Sequence, residues 1–272
     1  MNFKIFFVVF FAAVQAQAVA VIGHRGMGRD NPDIPENSIE GLTAALRGGA
    51  DAVEFDVQLT ADYEVVLLHD QTVGRATNGA GCVSKKRFAD LRRLRLRDGS
   101  GRTHWDKQVP SFEEVLEAIR PYYDKKKDFL ADVHLKVFAG ARGDWGGVNF
   151  CPRTDYRMLA WRVMKTLKEK GMAGKVILTA FHAKTLDYAR LFDEHVKTGL
   201  LTFLNTKAHT DLAAKKGYDA IVMNWNNASR LDFAYARARR LMVLAWFSDS
   251  GNIPSKDTLE GYAIDGVITD MP

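Results

Sequence analysis

Short runs of β-branched and apolar residues alternate along this chain with stretches whose apolar positions recur every three or four residues, the pattern of βα units. The strand-like runs are Val19–Gly23, Ala52–Val57, Phe129–Lys136, Lys175–Ala180, Thr198–Phe203, Asp219–Met223, Leu241–Phe247 and Asp265–Thr269. Eight such strands are what a closed parallel barrel needs. Between them the spacing predicts helices. One is capped by Asn37 and Ser38 and runs through Leu42, Ala45 and Leu46 to Gly48-Gly49. A second is capped by Ser111, with Glu113 and Glu114 in its favoured first turn. Tyr156–Glu169, Ala183–Phe192, Thr210–Lys216, Leu231–Arg240 and Lys256–Glu260 complete the ring. The expected fold is therefore an α/β (β/α)8 barrel whose last helix is truncated.

One further run, Glu64–Leu68, follows Asp56 too closely for a parallel crossover, so an antiparallel hairpin turning at Ala61–Glu64 is expected. Pairing Thr60 with Val65 would bring His69 opposite Asp56, to within a residue. A histidine is thereby delivered to the top of the second barrel strand.

Composition adds little to this picture. The 272 residues are 47% hydrophobic and 26% charged, with a mean hydropathy of -0.19, as in an ordinary soluble domain. A formal net charge of +5 suits an anionic substrate without establishing one. The N-terminus differs: Lys4 precedes an apolar run from Ile5 to Val14, and Ala16-Gln17-Ala18 offers a signal-peptidase pattern. Residues 1–18 are expected to be a signal peptide, leaving one domain over 19–272 in a secreted or periplasmic protein. Cys82 and Cys151 are too few for a disulfide framework, and two unpaired thiols are the expected state, although export would permit a bond.

Candidate chemistry gathers at the C-terminal ends of the strands, where barrel sites are built. Glu54 and Asp56 share one strand face, and paired inward carboxylates are costly unless bound to a cation or bridged to Arg25 or Lys136. His24 ends the first strand and His69 returns beside it, so two imidazoles are available for proton transfer. Arg25 can grip phosphate oxygens through its fork, and Lys136 can add a point charge.

His24-Arg25-Gly26, Pro35-Glu36-Asn37-Ser38, the stretch from Gly49 to Val57, His69-Asp70, Val109–Leu116, Trp246 and Gly266-Val267-Ile268-Thr269-Asp270 together resemble the glycerophosphodiester phosphodiesterase family. The segment between His69 and Val109 resembles that family's insertion. The resemblance implies hydrolysis of glycerophosphodiesters to glycerol 3-phosphate and an alcohol, with His24 and His69 as acid and base. It also implies a divalent ion, calcium or magnesium, on Glu54 and Asp56. The third ligand departs from the family, which has a glutamate where this chain has His134, two residues before Lys136. An imidazole there favours manganese or zinc. Asp132 lies on the same face but ~6.6 Å deeper, too far to substitute. Trp246 is expected to form an apolar pocket wall.

Two other functions fit the same residues: a lysophospholipase D or sphingomyelinase D-like activity on acylated phosphodiesters, and a barrel that binds phosphodiesters without turnover. The run Lys85, Lys86, Arg87, Arg92, Arg93, Arg95 and Arg97 would suit peripheral contact with a phospholipid surface, but a solvated face accounts for it more simply. The Gly-rich loop Val137–Pro152, with Phe138, Trp145 and Phe150, is either a lid or plain surface packing. Nothing in the pattern calls for nucleic acid.

Overall fold

The computed structural model describes residues 18–125, 130–138, 151–247, 254, 258–259 and 261–272. The apolar leader before Ala18, the loop residues 139–150 and most of the predicted helix Lys256–Glu260 lie outside the described residues. No described helix is long and apolar enough to cross a membrane.

The strands are β1 (Ala20–His24), β2 (Ala52–Leu59), β3 (Val65–Leu67), β4 (Ala131–Leu135), β5 (Val176–Ala180), β6 (Lys197–Thr202), β7 (Ala220–Asn224), β8 (Met242–Trp246) and β9 (Gly266–Thr269). All but β3 run parallel in the order β1-β2-β4-β5-β6-β7-β8-β9, and β9 pairs back onto β1. This closes a (β/α)8 barrel. The helices are α1 (Ile39–Gly48), α2 (Phe88–Leu91), α3 (Phe112–Tyr123), α4 (Tyr156–Glu169), α5 (Ala183–Arg190), α6 (Thr206–Lys216) and α7 (Arg230–Arg237). Ser38 caps α1 by accepting from Gly41 N, and Ser111 forms a capping box with Glu114 at α3. Helix α6 starts one turn earlier than its pattern predicts. Thr206 and Thr210 can be buried there because the Thr210 hydroxyl donates to the Thr206 carbonyl.

Strand β2 positions the site. Its Val53, Phe55 and Val57 are buried in the main core, where the Phe55 ring meets Phe112 at 6.2 Å. Along its length β2 changes partner, from β1 at Ala52–Glu54 to β3 at Val57–Leu59. The antiparallel register pairs Val57 with Leu67, and Leu68 N donates to Asp56 O. The hairpin is therefore one residue from the register expected for His69, as its turn pattern allowed.

Beyond β3 the insertion has its own small core, with Val66, Leu68, Val73, Ala76, Val83, Leu91, Leu96 and Val109 buried together. Its base is clamped covalently: Cys82 and Cys151 form a disulfide, which corrects the expectation of two free thiols. The 69 residues between them hide this proximity from the sequence, since only barrel closure brings the insertion against the chain beyond β4. Replacing both cysteines with serine should lower unfolding free energy by about 2–4 kcal/mol, because the open chain regains loop entropy. Denaturant titration of the oxidised wild type against the double variant tests this; equal midpoints would mean that the bond does not constrain the unfolded chain.

Candidate active site

Parallel register sets the side chains in rows. His24, Glu54 and Asp132 stand level on β1, β2 and β4, while Asp56 stands level with His134 and Thr179 one step higher. The turn after β1 is packed tightly. A Cβ on Gly26 would lie 2.5 Å from the Gly41 backbone, and one on Gly28 would lie 2.6 Å from Asp270. Arg25 adopts a left-handed φ of 51°, a conformation disfavoured by ~1–2 kcal/mol for an L-residue. It is held there by its N–H donating to Glu54 Oε2 and its carbonyl accepting from Asn37 N.

The result is a cavity of about 540 Å³ at the C-terminal mouth. Its polar lining includes His24, Arg25, Glu54, Asp56, His69, His134 and Lys136, and its apolar lining Phe181, Leu201, Phe203 and Trp246. Every site residue expected from the sequence lies in it. Trp246 Nε1 donates to the Thr202 carbonyl, so its polar edge is occupied by the wall.

Glu54, Asp56 and His134 each offer a ligand atom, all within 4.8 Å of one another. His134 Nδ1 stands 3.0 Å from Asp56 Oδ1 and 3.8 Å from Glu54 Oε1. Such convergence fits ligands directed at a shared cation. Burial, then the charges of Asp56 and Asp132, push the Glu54 carboxyl well above its usual range. Burial also acts on Asp56, but the Lys136 and Arg25 charges and the nearby His134 Nδ1 outweigh it and hold its carboxyl well below the usual range. Burial and the Lys136 charge push His134 down to about 4, leaving it neutral and able to ligate at pH 7. Crowded buried carboxylates beside a neutral imidazole suit a divalent cation.

The two remaining histidines are oriented alike. His24 Nδ1 lies 2.6 Å from Asp270 Oδ1, and His69 Nδ1 lies 2.7 Å from Asp70 Oδ1. Each ring therefore keeps Nε2 free of its carboxylate partner. Burial and Lys136 push His69 down to about 4, although a quarter of its side chain still meets solvent. Asp70 and Asp270 fall within motifs visible in the sequence, but their orienting role needed the geometry. Asn37 went unassigned as well: its amide donates to Asp56 Oδ2 and its carbonyl oxygen accepts from Asp56 N. Glu36 and Arg75, which join Arg25 to Asp70 through hydrogen bonds, carried no signal beyond the Pro35–Ser38 motif. In the basic run, Arg87, Arg92 and Arg93 face Asp62, Glu114 and Asp90, the pairing of a solvated face. His182 hydrogen-bonds Thr185 and stays outside the cavity lining.

A closed parallel barrel whose C-terminal mouth gathers a carboxylate–imidazole cluster that could hold a metal ion, with an arginine and a lysine beside it, defines a class of barrel suited to an anionic ligand. The sequence profile described as the glycerophosphoryl diester phosphodiesterase family matches residues 24–272, and the chain belongs to that family. A glycerophosphodiester phosphodiesterase of Caldanaerobacter subterraneus is 32% identical over 66% of this chain and 65% of its own length, just under two thirds of that relative. One from Bacillus altitudinis is 24% identical over 93% of this chain and 94% of its own. The solved structure of an Oleispira antarctica phosphodiesterase, in complex with the product sn-glycerol-3-phosphate, is similar in fold with a TM-score of 0.74. It is 20% identical, and the match covers 94% of each chain.

Asp132 sits below the cluster, accepting from Thr179 Oγ1 at 2.6 Å, and does not join the ligand set. Burial pushes its carboxyl up to about 7. The folded chain thus keeps a proton that the unfolded chain, with an aspartate pKa of ~3.9, has lost. Stability from this group is complete at low pH and declines as pH rises toward about 7. With chelator present, Asp132→Asn should gain on wild type between about pH 5 and pH 8, by up to ~1.4 kcal/mol per unit within the window. Parallel urea-denaturation curves at both pH values would rule out a protonated Asp132.

Proposed function

We propose that this chain hydrolyses glycerophosphodiesters to glycerol 3-phosphate and an alcohol, with His24 and His69 moving the protons. The observation that carries this is the meeting, in one cavity, of the Glu54–Asp56–His134 cluster with two histidines held alike through Nδ1 by aspartates. A pure binding site has no use for two oriented imidazoles.

Glu54, Asp56 and His134 would hold one divalent ion, whose charge offsets that of the phosphate oxygens. Calcium or magnesium suits the carboxylates, and manganese or zinc suits His134. Arg25 grips phosphate oxygens, with its guanidinium set by Glu36 and Asp56. Lys136, 3.6 Å from Asp56 Oδ1, adds positive charge at the same end. His69 is neutral, the form that accepts a proton from the attacking hydroxyl at Nε2. His24 delivers one to the leaving alkoxide, and Asp270 fixes which ring nitrogen does so. The nucleophile is water, or the substrate's own glycerol C2 hydroxyl, which expels the alcohol to leave a cyclic phosphate that water then opens to glycerol 3-phosphate.

A second reading, activity on acylated phosphodiesters, draws support from the aromatic wall. The Phe181 and Phe203 rings lie 6.4 and 5.9 Å from Trp246, and Phe181, 46% exposed, lines the cavity. Contact with a phospholipid surface would follow from that reading. Export is proposed as well. The Cys82–Cys151 bond supports it, because disulfides persist in oxidising compartments, and so does the leader pattern.

Purified protein should lose activity on glycerophosphocholine after chelation and regain it with one of calcium, magnesium, manganese or zinc added back. His24→Ala and His69→Ala should each lower kcat by ~10²–10⁴-fold with the ion saturating. His134→Glu should move the preference toward calcium or magnesium. Turnover only on acylated substrates would favour the second reading, and a near wild-type rate in either histidine variant would remove that residue from the mechanism. For export, N-terminal sequencing of the mature protein should begin near Val19; intact Met1 on cytosolic protein would overturn it.

A further inference from the structure

Arg75 lies in the insertion, outside the cation cluster, yet it touches both arms of the site. Its Nε donates to Asp70 Oδ2 at 2.6 Å, while Nη1 and Nη2 donate to Glu36 Oε2 and Oε1 at 2.9 and 2.5 Å. Asp70 presents its other oxygen to His69 Nδ1. Glu36 Oε2 also accepts from Arg25 Nη1. One guanidinium therefore links the carboxylate that orients a histidine to the carboxylate that orients the phosphate-gripping arginine.

The loop holding Arg75 is rigidly built. A bridge between Thr72 and Cys82 closes its base, with Val73 N donating to Gly81 O, and the Cys82–Cys151 bond pins that base to the chain beyond β4. Val73 and Ala76 are buried in the insertion core, and between them Arg75 lines the cavity mouth. Glu36 is buried with a side chain only 3% exposed, so its charge needs partners, and Arg75 supplies a bidentate one.

We propose that Arg75 is a positioning residue through which the insertion sets the ring orientation of His69 and, through Glu36, the guanidinium of Arg25. The proposal rests on the phosphodiesterase reading above. Only an arginine can fork in this way: a lysine ammonium keeps the charge but cannot span Asp70 and two oxygens of Glu36 with fixed geometry. The residue acts on the reaction through Asp70 and Glu36 and need not touch substrate.

The test starts from wild-type turnover of glycerophosphocholine; its absence would sink the phosphodiesterase reading, while the His69 tautomer below would still test the role of Arg75. With an active wild type, Arg75→Ala should lower kcat by ~10²-fold, the cost of misplacing a catalytic group by about an ångström. KM should rise by less than kcat falls, because Arg25 loses part of its setting through Glu36 yet keeps its own hydrogen bond to that carboxylate. Millimolar guanidinium should restore at least about tenfold of the lost rate, since Arg75 borders an open cavity, and Arg75→Lys should remain well below wild type. In the metal-free protein, ¹⁵N NMR should find the His69 ring in a single Nδ1–H tautomer that becomes mixed in Arg75→Ala. A kcat within about threefold of wild type, a loss that guanidinium does not repair, or an unchanged tautomer would each overturn the proposal. Should Arg75→Ala fail to fold, Arg75→Lys bears the same test, and a wild-type rate in that variant would overturn it.

Discussion

Two carboxylates two residues apart on β2, both facing the barrel interior, set the terms for the rest of the site. Glu54 and Asp56 are almost wholly buried, and burial of like charges side by side is strongly unfavourable without compensation. Compensation arrives from four directions: Arg25 from the turn after β1, Lys136 from the end of β4, Asn37 from the loop before α1, and His134 across the strand pair. Arg25 and Lys136, which would receive a phosphate, are thus among the residues that offset the buried acids. Each cation near Asp56 also helps to keep the nearby imidazoles neutral.

Backbone geometry makes that convergence possible. Strand β2 outruns its pairing with β1, and the free half takes up β3, so the chain reverses at the cavity instead of crossing the barrel. Gln58 holds the reversal by donating to the Leu68 and Asp70 carbonyls on either side of His69. The insertion then packs its separate core against β3 and returns Arg75 to the mouth. An excursion that looks peripheral in the sequence is in contact with the central chemistry.

The outline of the barrel was legible because it depends on local pattern. Period-two and helical runs marked eight parallel strands, and α4 was expected with the limits it has, Tyr156–Glu169. The hairpin register was readable to within one residue because turn and strand lengths leave little freedom. The start of α6 was missed where tertiary burial of Thr206 and Thr210 overrode weak local preference.

Sequence by itself determined the residue types at the mouth: alternation on β2 fixed which carboxylates face inward, and strand ends fixed where His24, His134, Lys136 and Trp246 stand. Only the tertiary structure decided how they are held. Asp270 reaches His24 from 246 residues away, Arg75 reaches Glu36 across 39, and Cys82 meets Cys151 across 69. Strand periodicity acts over neighbours and is written in the chain. A hydrogen bond, an ion pair or a disulfide between distant segments depends on where barrel closure brings them, and no local pattern records that distance.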